Sequence, residues 1–373
     1  MTLDIRTLAA APDEFPDWLR AVATGFLRVP DISPEEVTVR RADADLTRTV
    51  GAYDDTYGDA HGDAHGEGHG GGRRCVATFR SFPQELTVPG GARVNACAVS
   101  NVTVAATHRR RGLLTRMMAR ELRAAKERGE VLASLTSAEY PIYGRYGFGP
   151  AAWCVEYEVE TARTGLDPRY SGPADGGRVD LVDGEEVRRV APELYDRFRA
   201  QPHRQGVIER GTSWWRRHTG LDRFDGDGFT PRFHALYRDA DGVPQGLAAY
   251  TVDDHWEAKL PEETATVLSL FGTTPAAERA LWLFLLSMDW VSRVRTGLRA
   301  PDDILPLLVP DPRAARIKAR SDFLWLRPLD VPAMLEARSY PVTGTLVLDL
   351  RDEAGLAGGR YRLEAGPEGA KCV

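Results

Sequence analysis

The residues best placed to do chemistry form one short stretch, Thr107-His108-Arg109-Arg110-Arg111-Gly112-Leu113-Leu114-Thr115, directly after Val102-Thr103-Val104-Ala105-Ala106. Guanidinium groups make charge-assisted hydrogen bonds to phosphate. A glycine among them lets an anion approach the backbone. A helix beginning at Leu113 would aim its unpaired N–H groups and the positive end of its dipole at the same point. Strand, basic loop, glycine and helix together read as a pyrophosphate seat. The plainer alternative is a solvated basic turn, and the flanking strand and helix favour the seat. No GxxxxGK and no GxGxxG occurs here, so neither a P-loop nor a dinucleotide fingerprint is present.

A second chemical candidate lies within residues 53–74. His61, His65 and His69 recur every four residues, which on a helix would align metal ligands. The surrounding glycines disfavour that helix, so the run reads as a loop inserted between two strands. Solvated linker is the preferred reading, and adventitious zinc or nickel binding is the other. No metal is expected to be required. Cys75, Cys97, Cys154 and Cys372 are scattered without a CxxC pair, as buried reduced thiols would be.

The elements that must position the basic loop follow from periodicity. Phe15, Trp18, Leu19, Val22 and Phe26 mark one helical face within residues 12–37, until Pro30 and Pro34 interrupt it. Residues 75–82, 84–88 and 93–104 read as strands. An amphipathic helix follows over 113–128, closed by Gly129. A buried strand (131–137), a short turn or helix (140–146) and a further strand (153–159) complete a mixed α/β unit. Strands at 246–252 and 266–271 and a helix at 276–294 repeat the strand-then-helix order. The connecting Gly272-Thr273-Thr274-Pro275 has no basic cluster, so this second copy reads as catalytically silent. Strands at 323–326, 343–350 and 360–365 and a helix at 331–337 close the chain.

With 373 residues, two or three domains are expected, and 43% hydrophobic with 27% charged residues is ordinary for a soluble globular chain. The net charge of −6 and pI near 5.8 argue against a general nucleic-acid binder and are compatible with a cationic substrate. No long apolar run predicts a membrane span or a signal peptide, so a cytoplasmic location is expected.

The Arg-x-x-Gly loop at Arg109–Gly112 resembles the coenzyme A pyrophosphate loop of GNAT acetyltransferases. The stretch Ile142-Tyr143-Gly144-Arg145-Tyr146-Gly147-Phe148-Gly149-Pro150 resembles the tyrosine-then-Gly-Phe ending of the same domains. In combination the two motifs resemble the enhanced-intracellular-survival (Eis) acetyltransferases over nearly the whole chain. The resemblance implies an α/β (α+β) fold of tandem GNAT-like domains, at 1–165 and 166–310. A sterol-carrier-protein-like domain would follow at 311–373. It implies acetyl-CoA as cosubstrate, contacted by Val102, Thr103, Val104, Arg110, Arg111, Gly112, Leu113, Leu114, Thr115, Ala138 and Glu139. It also implies a homohexamer, and Tyr143 as the general acid that protonates the departing thiolate.

Two family features bear on the rest of the site. A free C-terminal carboxylate serves as general base in the family, which makes Val373 the terminal candidate, although the family pattern continues beyond it. Aminoglycoside-acetylating members carry an acid just after a phenylalanine on the first helical segment. Alignment on Phe26 puts Arg28 there, a cation that would repel a polyamine antibiotic, while a shifted alignment offers Asp31. The acceptor stays open among an aminoglycoside, a polyamine and a lysine side chain. The alternative function is a non-catalytic acyl-CoA or lipid carrier, which has no reason to keep Tyr143 together with the Arg109–Gly112 loop.

Overall fold

The computed structural model describes residues 3–55, 73–167, 169, 172–173 and 175–373, so the histidine-rich run at 58–72 lies outside the described residues. The first unit runs β1 (Asp4–Thr7), α1 (Phe15–Gly25), α2 (Pro34–Ala42), β2 (Thr49–Asp54), β3 (Arg74–Thr87), β4 (Arg93–Val104), α3 (Leu113–Glu127), β5 (Leu132–Thr136), α4 (Tyr140–Tyr143) and β6 (Gly149–Pro150). After β7 (Trp153–Glu160) the order recurs: β8 (Arg178–Val182), α5 (Gly184–Arg199), α6 (Thr212–His218), β9 (Phe233–Arg238) and β10 (Pro244–Val252). A hairpin of β11 (Trp256–Glu257) and β12 (Leu260–Pro261) precedes β13 (Glu263–Gly272), α7 (Pro275–Leu286) and β14 (Val291–Arg299). The remainder comprises α8 (Leu305–Leu308), β15 (Ala315–Asp322), β16 (Leu324–Pro328), α9 (Val331–Glu336), β17 (Gly344–Leu350), β18 (Gly359–Gly366) and β19 (Gly369–Cys372).

These strands build two seven-stranded sheets, ordered β1-β2-β3-β4-β5-β16-β6 and β15-β7-β14-β13-β10-β9-β8. The expected boundaries at 165 and 310 therefore do not follow the sheets. β7, expected in the first unit, pairs with β14 and β15 in the second sheet. β16, expected in the third, inserts between β5 and β6 of the first. Such exchanges depend on long-range pairing, which local periodicity does not encode. What remains of the third unit is the meander β17-β18-β19 beneath α9.

Two expected elements change their bounds. The helical face read within 12–37 is α1; after it the chain turns at Leu27 in the left-handed region (φ 58), and a second helix starts at the Ser33 cap. The strands at 75–82 and 84–88 are one strand that passes through Pro83. Ser81 and Thr87 donate their N–H away from β4, so Pro83 lacks its donor on that same side, past the end of β2. The 276–294 helix stops at Leu286, and Val291 onward is strand β14. The apolar residues on both sides of Ser287-Met288-Asp289 could not by themselves separate helix from buried strand.

Helix α3 is held to the first sheet by Leu113, Met117, Met118, Leu122 and Ala125, each larger side chain contributing roughly 1.5–3 kcal/mol by burial. Glu121 lies on the same stripe and is also buried. It accepts from Ser81 Oγ at 2.5 Å and from Arg128 at 2.7 Å, while Arg48 pairs with Glu130 at 2.8 Å. A buried carboxylate is tolerable only when partnered in this way. The network fixes the C-terminal end of α3 against β2 and β3, so its N-terminus is held in one place. All four cysteines are buried and unpaired. Among the described residues no helix is long and apolar enough to cross a membrane.

Candidate active site

Strand β4 sets the site. It pairs in parallel with β5 only over Ala96–Ala98, and then continues to Val104 without β5 beside it. On its other edge the register with β3 slips between Thr78 and Arg80, and Asn101 takes φ 50. A bulge of this kind bends a strand and re-aims the residues beyond it. Thr78 Oγ1 holds the bulge, donating to the Asn101 carbonyl at 2.8 Å and lying 2.7 Å from Thr103 Oγ1. The result is a wedge between β4 and β5, with Val102, Thr103 and Val104 on its β4 wall.

The wedge leads to the basic loop. After a short turn over Ala106–His108, Arg110 (φ 64) and Gly112 (φ 72) both enter the left-handed region, and Gly112 caps α3 without any side-chain cap bond. A Cβ built on Gly112 meets nothing within 4 Å, so open space stands before the helix end. Arg109, Arg110 and Arg111 are exposed, and none forms an ion pair with a carboxylate among the described residues. Open space, an uncapped helix N-terminus and unneutralised guanidinium groups fit a pyrophosphate.

At the other wall, α4 carries Tyr143. Its ring packs edge-on against Phe148 with centroids 6.1 Å apart. Burial, then the neighbouring Tyr146 and Glu139, push its phenol above the usual value, so it is protonated at neutral pH. No hydrogen bond engages its hydroxyl among the described residues. Tyr146 OH lies 3.1 Å from Thr115 Oγ1, which ties the first turn of α3 to the tyrosine turn. Ala138 and Glu139 are exposed just before α4. The turn closes at Gly147 (φ 80), where a Cβ would come within 2.7 Å of the Arg327 side chain. Arg327 is itself buried on β16 and paired with Asp352 at 2.6 Å.

Phe26 and Arg28 approach from the α1 side. A Cβ on Gly25 would stand 2.3 Å from Thr103, so the end of α1 abuts β4 beside the bulge. Phe26 is 44% exposed and the Arg28 guanidinium lies 5.9 Å from its ring. Val373 lies on the C-terminal meander, apart from the elements that form the loop. Its backbone is paired with that of Arg362 at the edge of the C-terminal meander. Sequence reasoning missed Asn101, the Thr115–Tyr146 link and Arg327. Only an asparagine's tolerance of positive φ could have pointed to the first. A recess of about 260 Å³ lined by Glu85, Glu130, Glu209 and Arg128 opens at the opposite end of β4 and takes no part in the wedge.

The second unit repeats the frame with the same places filled. Thr274 caps α7 by accepting from Ala277 N at 3.1 Å, and Pro275 removes a further donor. Glu278 stands buried in the first turn and pairs with Arg204 at 2.6 Å. Where β13 and β14 would part, Arg299 donates to the Leu270 carbonyl at 2.6 Å and pairs with Asp303 at 2.7 Å.

Family models agree with this duplication: an acetyltransferase (GNAT) domain matches residues 4–151 and another matches residues 206–328. The chain belongs to the GNAT acetyltransferases and is an N-acetyltransferase. Within that class it is Eis-like. It is 36% identical to N-acetyltransferase Eis of Mycobacterium tuberculosis over 293 residues, 77% of this chain and 68% of that protein. The crystal structure of Eis1 from Mycobacterium abscessus superposes with a TM-score of 0.77 at 28% identity, covering 99% of this chain and 85% of that one. An uncharacterized N-acetyltransferase of Streptomyces avermitilis is 57% identical over 372 residues, 99% of this chain and 84% of its own length.

Proposed function

We propose that the chain transfers acetyl from acetyl-CoA to a primary amine, with Tyr143 as general acid. The supporting observation is the wedge with an uncapped, arginine-flanked helix N-terminus at one end and an unengaged, protonated phenol on its wall. Arg110, Arg111 and the N–H groups of Gly112–Thr115 hold the pyrophosphate. Val102–Val104 line the pantetheine path, with Ala138 and Glu139 opposite. The amine nitrogen attacks the thioester carbonyl, the C–N bond forms and the C–S bond breaks. Tyr143 gives its proton to the leaving sulfur, and the proton shed by the amine goes to a base or to solvent. A C-terminal carboxylate is the base implied by the Eis resemblance.

The acceptor passes the end of α1. Arg28 beside Phe26 favours an amine of low positive charge, such as a single lysine side chain, over a polycationic aminoglycoside or polyamine. We also read the α9–β17–β18–β19 unit as sterol-carrier-like, supported by a helix packed on an antiparallel meander, and the assembly as a homohexamer on the Eis likeness. Thiol release from acetyl-CoA against aminoglycosides, polyamines and lysine peptides tests the reaction. Amine-dependent release is expected, and acetyl-CoA or lipid binding without any transfer would favour the carrier alternative.

A further inference from the structure

One buried pair near the loop has no part in the acetyl transfer itself. His108, the residue before Arg109, is 3% exposed, and its Nε2 lies 2.9 Å from Oδ2 of Asp54, itself 5% exposed. Its Nδ1 lies 2.8 Å from Thr107 Oγ1. Asp54 is the last residue of β2, two strands away from β4. The pair thus ties the root of the basic loop to the far side of β3. The next residues must then make two left-handed turns, at Arg110 and Gly112, before α3 starts. Arg111 returns to the same root, donating to the Thr107 carbonyl at 3.2 Å. Such turns stay in one arrangement only where the surroundings over-determine them. The root is the place where a rigid tie is most useful, because the arginines themselves are exposed.

We infer that His108 and Asp54 are positioning residues that set the affinity of the basic loop for the pyrophosphate of coenzyme A. Neither touches the thioester or the amine. The inference rests on the reading of the loop as a pyrophosphate seat, and it separates two thioesters. Acetyl-CoA carries the pyrophosphate, whereas S-acetyl-pantetheine lacks it and needs only the wedge. Loosening the loop should therefore raise KM for the first and leave the second unchanged.

The experiment measures kcat and KM for both thioesters in the wild-type protein and in the His108→Leu, Asp54→Leu and Asp54→Asn variants, with melting temperatures alongside. Asp54→Asn keeps a hydrogen-bond partner for His108 and should lie close to wild type. His108→Leu and Asp54→Leu should raise KM for acetyl-CoA about ten- to a hundredfold, with kcat and S-acetyl-pantetheine turnover within about twofold. Equal losses on both thioesters, or unchanged KM for acetyl-CoA in folded variants, would overturn the inference. A wild-type protein that does not prefer acetyl-CoA to S-acetyl-pantetheine would instead overturn the reading of the loop. If the leucine variants do not fold, the double variant Asp54→Asn, His108→Gln decides. It replaces the imidazole–carboxylate pair with two amides; an acetyl-CoA KM that rises without change on S-acetyl-pantetheine supports the role, and an unchanged KM in the folded variant overturns it.

Discussion

Helices α3 and α7 each follow the last long strand of a β-meander, and each begins where a GNAT fold can bind an anion, yet their N-termini are finished differently. At α3 the cap is a glycine in the left-handed region with open space before it, and the nearby arginines form no ion pair with a carboxylate among the described residues. At α7 a threonine side chain caps the helix, a proline removes a donor and a buried carboxylate sits in the first turn against Arg204. One terminus leaves its dipole and its charges for a ligand, and the other satisfies them within the protein. The strands differ in the same sense: β4 parts from β5 at an open bulge, whereas Arg299 and Asp303 stitch the gap between β13 and β14. Duplication preserved the frame in both units. On the proposed reading, the presence or absence of internal partners sets which unit takes acetyl-CoA.

The comparison can be broken by mutation, and the largest effect is expected at the phenol. Tyr143→Phe should lower kcat about a hundredfold or more while the affinity for acetyl-CoA holds, as stopped-flow thiol release and titration would show. A variant with unchanged kcat would remove the general-acid role. Next comes the cap. Gly112→Val forces a β-branched side chain into φ 72 and into the open space, so acetyl-CoA binding should weaken about ten- to a hundredfold. In the second unit the matching change is structural only. Thr274→Ala removes the α7 cap and should cost about 1 kcal/mol in denaturant unfolding, with acetyl-CoA affinity unchanged. Weakened binding there would mean that the second unit is not silent.

The smallest effect concerns acid. Burial pushes His218 down to about 3 and His234 down to about 4 from an ordinary value of 6.5, with Arg232 adding to both. The folded state holds these rings neutral, while the unfolded chain protonates them below pH 6.5. Their contribution to stability is therefore complete above that pH and is lost as pH falls from 6.5 through about 4 for His234 and about 3 for His218. The melting temperature of wild type should drop across this window, and His234→Gln should flatten the drop. An identical pH profile in the variant would assign the acid sensitivity elsewhere.

The features legible in the sequence were those carried by local pattern. The stripe of Leu113, Met117, Met118 and Leu122 defined α3, and the run of arginines closed by Gly112 marked the exposed loop before it. The second GNAT unit was legible from its repeated strand-then-helix order. What was not legible depends on contacts distant in sequence. The exchange of β7 and β16 between sheets rests on pairings such as Arg320 with Val155 and Trp325 with Leu135. The tie from His108 to Asp54 spans β3, and the support of the Gly147 turn by Arg327 reaches it from β16. The plugging of the second unit by Glu278 and Arg204 likewise joins residues 74 positions apart.

The central claim is that one unit of this duplicated protein binds acetyl-CoA and the other does not. Calorimetric titration of the full chain with acetyl-CoA tests it directly, in wild type and in Gly112→Val. One site per chain, lost or strongly weakened in Gly112→Val, is the predicted result. Two sites per chain, or a single site indifferent to Gly112→Val, would contradict the account.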